Sequence, residues 1–248
     1  MTPGGQPPAT APTSPAFVAT ACALMALVSL SIDAILPGLE SLAADLGVAD
    51  GNRRQWVITA LFLGLACGQL IYGPMSDSIG RRKAILLGVA VFSAGSLVSA
   101  TAQSFEAMLV GRVIQGLGVA GPRTVTVAMI RDRFEGAAMA RLMSVIMTVF
   151  IMVPVLAPGL GQLVLLVAGW RVLFLFVMAF AWAAAAALVL LVPERKISRP
   201  PFNLRDTWIG AAAILTHRRS MAVTVAGGCI YGALMGYVNS SEQIFHGV

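Results

Sequence analysis

Charged side chains that interrupt long apolar stretches are the residues of this sequence best placed to do chemistry. Asp33 stands near the end of the first such stretch, and Arg112 and Arg123 stand inside the fourth. A charged side chain at the centre of a bilayer costs about 2.5 to 3.5 kcal/mol on insertion scales, so such residues mark ion or substrate pathways. A carboxyl group in a partly dry environment also suits reversible protonation near neutral pH. All three are therefore candidates for binding protons or a substrate.

Each of these residues also has a plainer explanation. An acid close to the water, such as Asp33, serves as an interfacial helix cap. Arg112 follows Glu106 closely enough to snorkel toward the outer surface. Arg123 either pairs with Asp33 or lines a cavity. The sequence leaves these alternatives open.

A short polar segment between the second and third apolar stretches concentrates charge and turn-forming residues. Gly73 and Pro74 predict the end of one helix, and Asp77 follows them. Gly80 and three consecutive bases, Arg81 to Lys83, then begin the next segment. We therefore expect a tight, positively charged loop between two membrane spans. The plainer alternative is a basic anchor that only retains this loop on one side of the membrane.

The composition predicts a membrane protein. Hydrophobic residues make up 58% of the chain, charged residues 11%, and the mean hydropathy is +0.84. Soluble domains carry roughly 25% charged residues, so this chain has too few to cover a water-facing surface. The net charge of +6 does not indicate a nucleic-acid partner, because the bases lie in membrane-proximal loops.

Seven apolar segments are long enough to span a bilayer as helices, which need about 20 residues each. The sequence therefore predicts an all-α membrane bundle of six helices followed by a seventh transmembrane helix. The predicted spans are Phe17–Leu36, Trp56–Met75, Ala84–Ala102, Ala107–Ile130, Leu142–Val167, Val172–Val192 and Met221–Val238.

Lysine and arginine are distributed unevenly among the predicted loops. Twelve lie on one side, namely Arg81, Arg82, Lys83, Arg131, Arg133, Arg141, Arg195, Lys196, Arg199, Arg205, Arg218 and Arg219. Three lie on the other side, namely Arg53, Arg54 and Arg171. Because basic loops are retained in the cytoplasm, we expect a cytoplasmic N-terminus.

The predicted organisation has four parts. Residues 1–15 are a disordered tail rich in Pro, Thr, Gly and Ala. Residues 16–192 are the six-helix domain. Residues 193–220 are a cytoplasmic connector, and the composition of 202–215 permits a short helix on the membrane surface. Residues 221–248 are the first helix of a second domain that is incomplete here. We expect the chain to be a fragment, with a natural truncation as the alternative.

Three motifs together resemble those of the major facilitator superfamily of secondary transporters. The first is the charged segment from Gly73 to Lys83. The second runs from Arg112 to Ala120 and combines an arginine, a Gln-Gly pair and small residues at helical spacing. The third runs from Pro154 to Gln162 and resembles the antiporter motif of the superfamily. Ser78 stands where the first motif usually has a base, and Ala157 and Gln162 replace glycines of the third.

Within the superfamily, the chain resembles the Bcr/CflA-type multidrug:proton antiporters. That resemblance rests on Asp33–Pro37, Gly121–Arg123 and Arg131–Asp132. It implies alternating access, with export of amphipathic small molecules coupled to protons. It assigns Asp33, Arg112 and Arg123 to proton or substrate binding. It assigns a gating role to Asp77, Arg81, Arg82 and Asp132. It also assigns a helix-kinking antiporter motif to Pro154, Pro158, Gly159 and Gly161.

The expected partners are a small-molecule substrate, protons and the bilayer, and we expect a monomer for the full-length protein. The sequence shows no metal-ligand cluster, no phosphate-binding loop and no nucleophile beside a base, so we expect neither an enzyme nor a cofactor. Three cysteines in apolar stretches, Cys22, Cys67 and Cys229, are packing residues.

Three other functions are kept as alternatives. A seven-helix receptor or light-driven pump agrees with the span count, although the seventh span has no lysine for a retinal Schiff base. A truncated half-transporter would form a homodimeric pore or act as a non-transporting partner. A symporter or uniporter of the same superfamily would carry another small solute.

Overall fold

The structure is a computed structural model that describes residues 14–48, 50–193 and 216–246, with the side chains of 51, 231 and 234–246 also outside the description. Helices make up these residues apart from short connections. We label them in chain order as α1 Pro15–Asp33, α2 Leu39–Asp45, α3 Gly51–Arg54, α4 Trp56–Ile79, α5 Arg81–Ala100, α6 Phe105–Arg131, α7 Gly136–Val167, α8 Trp170–Leu191 and α9 Arg218–His246.

Six stretches of the described chain are long and apolar enough to cross a membrane, and they correspond to the first six predicted spans. The all-α bundle is thereby confirmed. The predicted seventh span lies within α9, which belongs to a separate compact unit covering residues 201–248. Its role as a span stays a prediction. Most of the predicted tail and of the predicted connector lies outside the described residues.

The predicted loop after the second span is wrong in its extent. Helix α4 continues through Gly73 and Pro74 and ends only at Ile79, so Asp77 lies on the last turn of a helix. Gly80 alone separates α4 from α5, with φ of 101°. A side chain with a Cβ atom rarely adopts this left-handed conformation, so glycine allows the two helices to follow each other directly.

Helix α7 also differs from the sequence prediction. It begins at Gly136, six residues before the predicted start at Leu142, and it continues through Pro154 and Pro158. Proline costs about 3 kcal/mol or more in a soluble helix, but a membrane bundle tolerates it because neighbouring groups satisfy the freed carbonyls. The prolines therefore do not interrupt this helix.

Helix α6 is at the centre of the bundle because glycines bring its backbone against two neighbours. A methyl group on Gly116 would overlap the backbone of Leu61 in α4, and one on Gly118 would overlap the backbone nitrogen of Phe92 in α5. Packing of this kind drives helix association in membranes, where lipid removes the hydrophobic drive between helices. The small residues of the fourth span therefore allow a close approach of α4 and α5 to α6.

Helices α1, α7 and α8 complete the six-helix unit. Helix α1 packs against α6, α7 and α8. Many large apolar side chains of α7 are exposed, among them Ile151, Val155 and Leu163. Apolar side chains that face outward suit a helix surrounded by lipid. The unit thus has a packed centre around α6 and an apolar outer surface.

Candidate functional site

Arg112 is fully buried inside the six-helix unit, where its guanidinium contacts two other helices. Nε donates a hydrogen bond to the carbonyl of Val57 in α4 at 3.1 Å. Nη1 and Nη2 both donate to the carbonyl of Ser31 in α1, at 3.1 and 3.2 Å. The guanidinium carbon also lies 5.7 Å from the centre of the Phe174 ring in α8. The arginine points into the bundle, so the snorkelling explanation is wrong.

A polar chain continues from Arg112 across the bundle. Nη1 donates to Oε1 of Gln115 at 2.6 Å, and Nε2 of Gln115 donates to the Ser96 hydroxyl at 2.8 Å. The hydroxyl of Ser96 donates to the carbonyl of Phe92 at 2.9 Å. Among the described residues, Arg112 donates hydrogen bonds only to neutral acceptors, and no carboxylate forms an ion pair with it. A buried charge without an opposite charge is costly, which favours a functional reason for keeping it.

Asp33 is the last residue of α1, two positions after the carbonyl that Arg112 holds. Its side chain is half-buried, and within the described part of the chain it has no hydrogen bond or ion pair. The predicted alternative of a pair with Arg123 is not formed. The centre of the Phe150 ring lies 5.9 Å from the Arg123 guanidinium carbon instead.

Arg123 lies eleven positions after Arg112 on α6, about 16 Å along the helix at 1.5 Å per residue. It lines a cavity of about 490 Å³ between α4 and α6. That this cavity belongs to the transport pathway stays a prediction. The cavity opens near the end of the bundle that carries Gly80 and Pro193, which we call the basic end. Asp33, Arg112 and Arg123 therefore do not form one site, because Arg123 belongs to a separate one.

Arg81 is the centre of a charge cluster at the basic end. Its Nε donates to Oδ2 of Asp132 at 2.8 Å, and its Nη1 lies 2.5 Å from Oδ1 of Asp77. Nη1 also donates to the hydroxyl of Ser76 at 2.6 Å. The cluster joins the end of α4, the start of α5 and the end of α6. Three of the four predicted gating residues are thus in contact.

Arg82, the fourth predicted gating residue, lies elsewhere. It donates a hydrogen bond to the carbonyl of Val189 in the last turn of α8. Arg133 donates to the carbonyl of Pro193, just beyond that helix, at 2.7 Å. Cations are stabilising near helix C-termini, where carbonyls have no partner in the helix. Arg82 is therefore placed to cap α8 rather than to join the Asp77 cluster.

The geometry predicts unequal strengths for the two ion pairs of Arg81. Side-chain exposure is 22% for Arg81 and 26% for Asp132, but 56% for Asp77. We expect a coupling free energy of about 1 kcal/mol or more with Asp132, and of about 0.3 to 0.5 kcal/mol with Asp77. Both coupling free energies can be measured with double-mutant cycles, in which chemical unfolding in detergent gives the stability of each variant. The substitutions are Arg81→Gln, Asp132→Asn and Asp77→Asn. Equal coupling energies would contradict this difference.

Comparisons with known proteins agree with the arrangement of helices and charges. The sequence profile of the Major Facilitator Superfamily matches residues 21–247. The chain belongs to the Major Facilitator Superfamily. It is therefore a multi-pass membrane protein of a transporter family rather than a member of an enzyme family. The resemblance stated from the motifs is confirmed.

Relatives within the superfamily include proteins named for drug resistance. The chain is 29% identical to a bicyclomycin resistance protein homolog of Haemophilus influenzae, over 94% of this chain and 58% of that protein. It is 32% identical to the multidrug resistance protein MdtL of Shigella flexneri, over 74% of this chain and 46% of that protein. The chain thus spans about half the length of these relatives.

Solved structures of the superfamily show the same fold. The human organic anion transporter MFSD10 matches with a TM-score of 0.60 and 23% identity, over 79% of this chain and 53% of that chain. A D-xylose–proton symporter matches with a TM-score of 0.63 and 15% identity, over 83% of this chain and 53% of that chain. At these identities the likeness concerns the fold alone.

The segment from Pro154 to Gln162, which resembles an antiporter motif, is divided between two environments in α7. A methyl group on Gly161 would overlap the carbonyl oxygen of Ala34, so this glycine brings α7 against the end of α1. Gly159 has open space around it, Pro154 is exposed and Pro158 is half-buried. Of the two glycines, Gly161 alone is therefore packed closely against another helix.

Several polar residues at these sites were missed as site residues by sequence reasoning. Ser96 completes the chain from Arg112, and Gln69 and Thr124 line the cavity beside Arg123. Their polarity within apolar helices was a signal, but serine and threonine often satisfy themselves by bonding to the preceding turn. Among the described residues, no group of His, Cys, Asp or Glu could hold a metal.

Proposed function

We propose that this chain supplies one helical half of a proton-coupled exporter of amphipathic small molecules. The observation that carries the proposal is the buried Arg112, held by neutral acceptors on α4 and on α1, the helix that ends at the half-buried Asp33. Relatives named for multidrug and bicyclomycin resistance support export of drugs. The working transporter alternates between outward and inward access to a midplane cavity.

In the proposed cycle, Asp33 binds and releases the coupled proton. An ionised Asp33 adds a negative charge at the end of α1, where Arg112 already binds the carbonyl of Ser31. Protonation removes that charge, and this changes the free energy of the contact between α1 and α6. A substrate that prefers one charge state of Asp33 then competes with the proton, which couples the two movements.

The cluster of Arg81, Asp77 and Asp132 is the proposed gate at the basic end. It joins three helix ends by ion pairs that are only partly buried. Partly exposed pairs are weak enough to break and reform during a transport cycle. The ends of α4 and α6 would separate or close as this cluster rearranges.

We further propose that the basic end faces the cytoplasm of a bacterial cell, across the inner membrane. The lysine and arginine distribution of the predicted loops supports this orientation. It places the N-terminus inside the cell. The full-length transporter is proposed to work as a monomer.

Efflux of ethidium from bacterial cells that express the complete reading frame tests the proposal. We expect export to collapse when a protonophore is added, and also in Asp33→Asn cells without it. Glu40→Gln is the matched control, because it neutralises an exposed carboxylate just beyond α1. Export by the control should equal that of the unmodified protein.

The outcomes separate the parts of the proposal. Export that survives the protonophore would refute proton coupling. Export that survives Asp33→Asn, while still sensitive to the protonophore, would place the proton elsewhere. An absence of export with well-folded protein would favour a symporter, a uniporter or a half-transporter.

A further inference from the structure

The cavity at the basic end carries more positive than negative charge. Its lining includes Arg81, Arg123 and Arg131 together with Asp77 and Asp132, which leaves one excess positive charge. Arg81 uses its donors on both carboxylates. The other two arginines make no hydrogen bond or ion pair with any residue in the ranges that the structure describes. The excess charge is therefore carried by guanidiniums whose donors remain available.

Arg123 is the better positioned of these two guanidiniums. Its side chain is half-buried, and its guanidinium carbon lies 5.9 Å from the centre of the Phe150 ring. A contact of this kind leaves the N–H donors of the guanidinium unused. An arginine whose N–H donors have no partner among the described residues suits bidentate recognition of a carboxylate, sulfonate or phosphate.

The surroundings of Arg123 suit an anionic group attached to an apolar body. Gln69 and Thr124 supply neutral polar groups to the lining of the cavity, and Val127 and Ala128 supply apolar surface. The volume of about 490 Å³ lies within the range of small-molecule sites, roughly 300 to 1,000 Å³. A cation would meet two carboxylates that already pair with Arg81, and the guanidiniums of Arg123 and Arg131 would repel it.

We propose that this cavity binds the anionic group of an amphipathic molecule through Arg123, with Arg131 adding positive potential at the mouth. The inference deepens the proposed function, because it names anionic amphipaths as one substrate class of the exporter. The same chemistry could come from a free solute or from the headgroup of an anionic lipid. The experiment distinguishes these sources.

Binding is measured on the purified full-length protein in nanodiscs of phosphatidylcholine, with radiolabelled naphthalene-2-sulfonate as the probe. The matched cation is 2-naphthylmethylammonium, which has the same apolar body. We expect the sulfonate to bind more tightly than the cation at this site. Arg123→Gln should weaken sulfonate binding by about five- to tenfold, the range of a partly exposed charge-assisted hydrogen bond.

Two further variants keep the test specific. Arg123→Lys retains the charge but not the planar fork, so it should restore part of the affinity. Arg141→Gln removes an exposed base that is not part of the cavity lining, and it should leave binding unchanged. Size-exclusion chromatography of each variant checks that it is folded.

Three results would overturn the inference: no sulfonate binding, equal binding by the unmodified protein and Arg123→Gln, or equal loss of binding in Arg141→Gln. Nanodiscs that also contain phosphatidylglycerol then identify the source. Competition by this lipid would assign the site to an anionic headgroup, and its absence would assign it to a free solute. Either assignment supports the anion site, but assignment to a lipid headgroup would refute anionic amphipaths as a substrate class.

The binding test is independent of the transport test. Sulfonate binding that depends on Arg123, in a protein that exports nothing, would support the site and refute the proposed exporter. Proton-dependent export without Arg123-dependent binding would support the exporter and refute the site.

Discussion

Gly118→Leu is expected to remove most of the folded protein. A methyl group at Gly118 already overlaps the backbone nitrogen of Phe92, so the larger side chain must push α5 away from α6. Backbone atoms cannot rotate aside as a side chain can. Overpacking costs about 1 to 3 kcal/mol where side chains can adjust, and we expect at least about 3 kcal/mol here. The folded yield in membranes should fall more than about tenfold, as 1.4 kcal/mol equals a factor of ten.

Gly159→Leu is the matched control for this prediction. Gly159 is also inside a long helix, but nothing lies where its side chain would extend. Leucine has a better helix propensity than glycine by somewhat under 1 kcal/mol, so the control should fold at least as well as the unmodified protein. Fluorescence-detected size-exclusion chromatography compares the two variants. Equal folded yields would contradict the packing of α6 against α5.

Arg112→Leu is expected to reduce proton-driven export by about tenfold or more while leaving the protein folded. The substitution removes hydrogen bonds from a charged group, each contributing about 1.5 to 3 kcal/mol. It also removes the cost of burying that charge, which amounts to several kcal/mol. The two effects oppose each other, and no carboxylate partner is left unpaired inside the six-helix unit. We therefore expect unfolding free energy to change by less than about 2 kcal/mol, with the hydrogen bonds and the burial cost nearly cancelling.

The expected effect on transport is larger. Coupling free energies between sites are typically 1 to 3 kcal/mol, so loss of the link between α1 and α6 should reduce proton-driven export by about tenfold or more. Arg171→Leu is the control, because it removes an exposed arginine paired with Asp45 at 3.2 Å. That variant should export normally. Normal export by Arg112→Leu would show that the buried arginine does not take part in coupling.

The fold could be predicted from the sequence to the level of individual spans. Apolar length and the cost of charge in lipid are local properties, and they identified six helices that the structure confirms. Helix ends were less predictable. Gly73 and Pro74 are turn-formers in water, but the end of α4 continues through both. Positional rules derived from soluble chains do not include the support that neighbouring helices give.

The candidate sites were predictable as a list of residues, but not as groups. Asp77, Arg81 and Asp132 came from motifs, and they are in contact in the structure. Arg82 stands next to Arg81 in sequence, yet successive residues of a helix point about 100° apart, so it caps α8 instead. Gln69 and Thr124 were missed, because only the packing of α4 against α6 places them beside Arg123.

The sequence by itself determined that this is a membrane bundle, where its charges interrupt apolar helices, and which transporter family its motifs resemble. These properties depend on residue type and short spacing alone. Only the tertiary structure decided that Arg112 binds the carbonyl of Ser31, 81 residues away, and that Arg123 faces a separate cavity. Contacts over such separations depend on how helices rotate and approach each other. The distance of approach is set where glycines of one helix meet the backbone of another, and such contacts depend on the shape of whole helix surfaces.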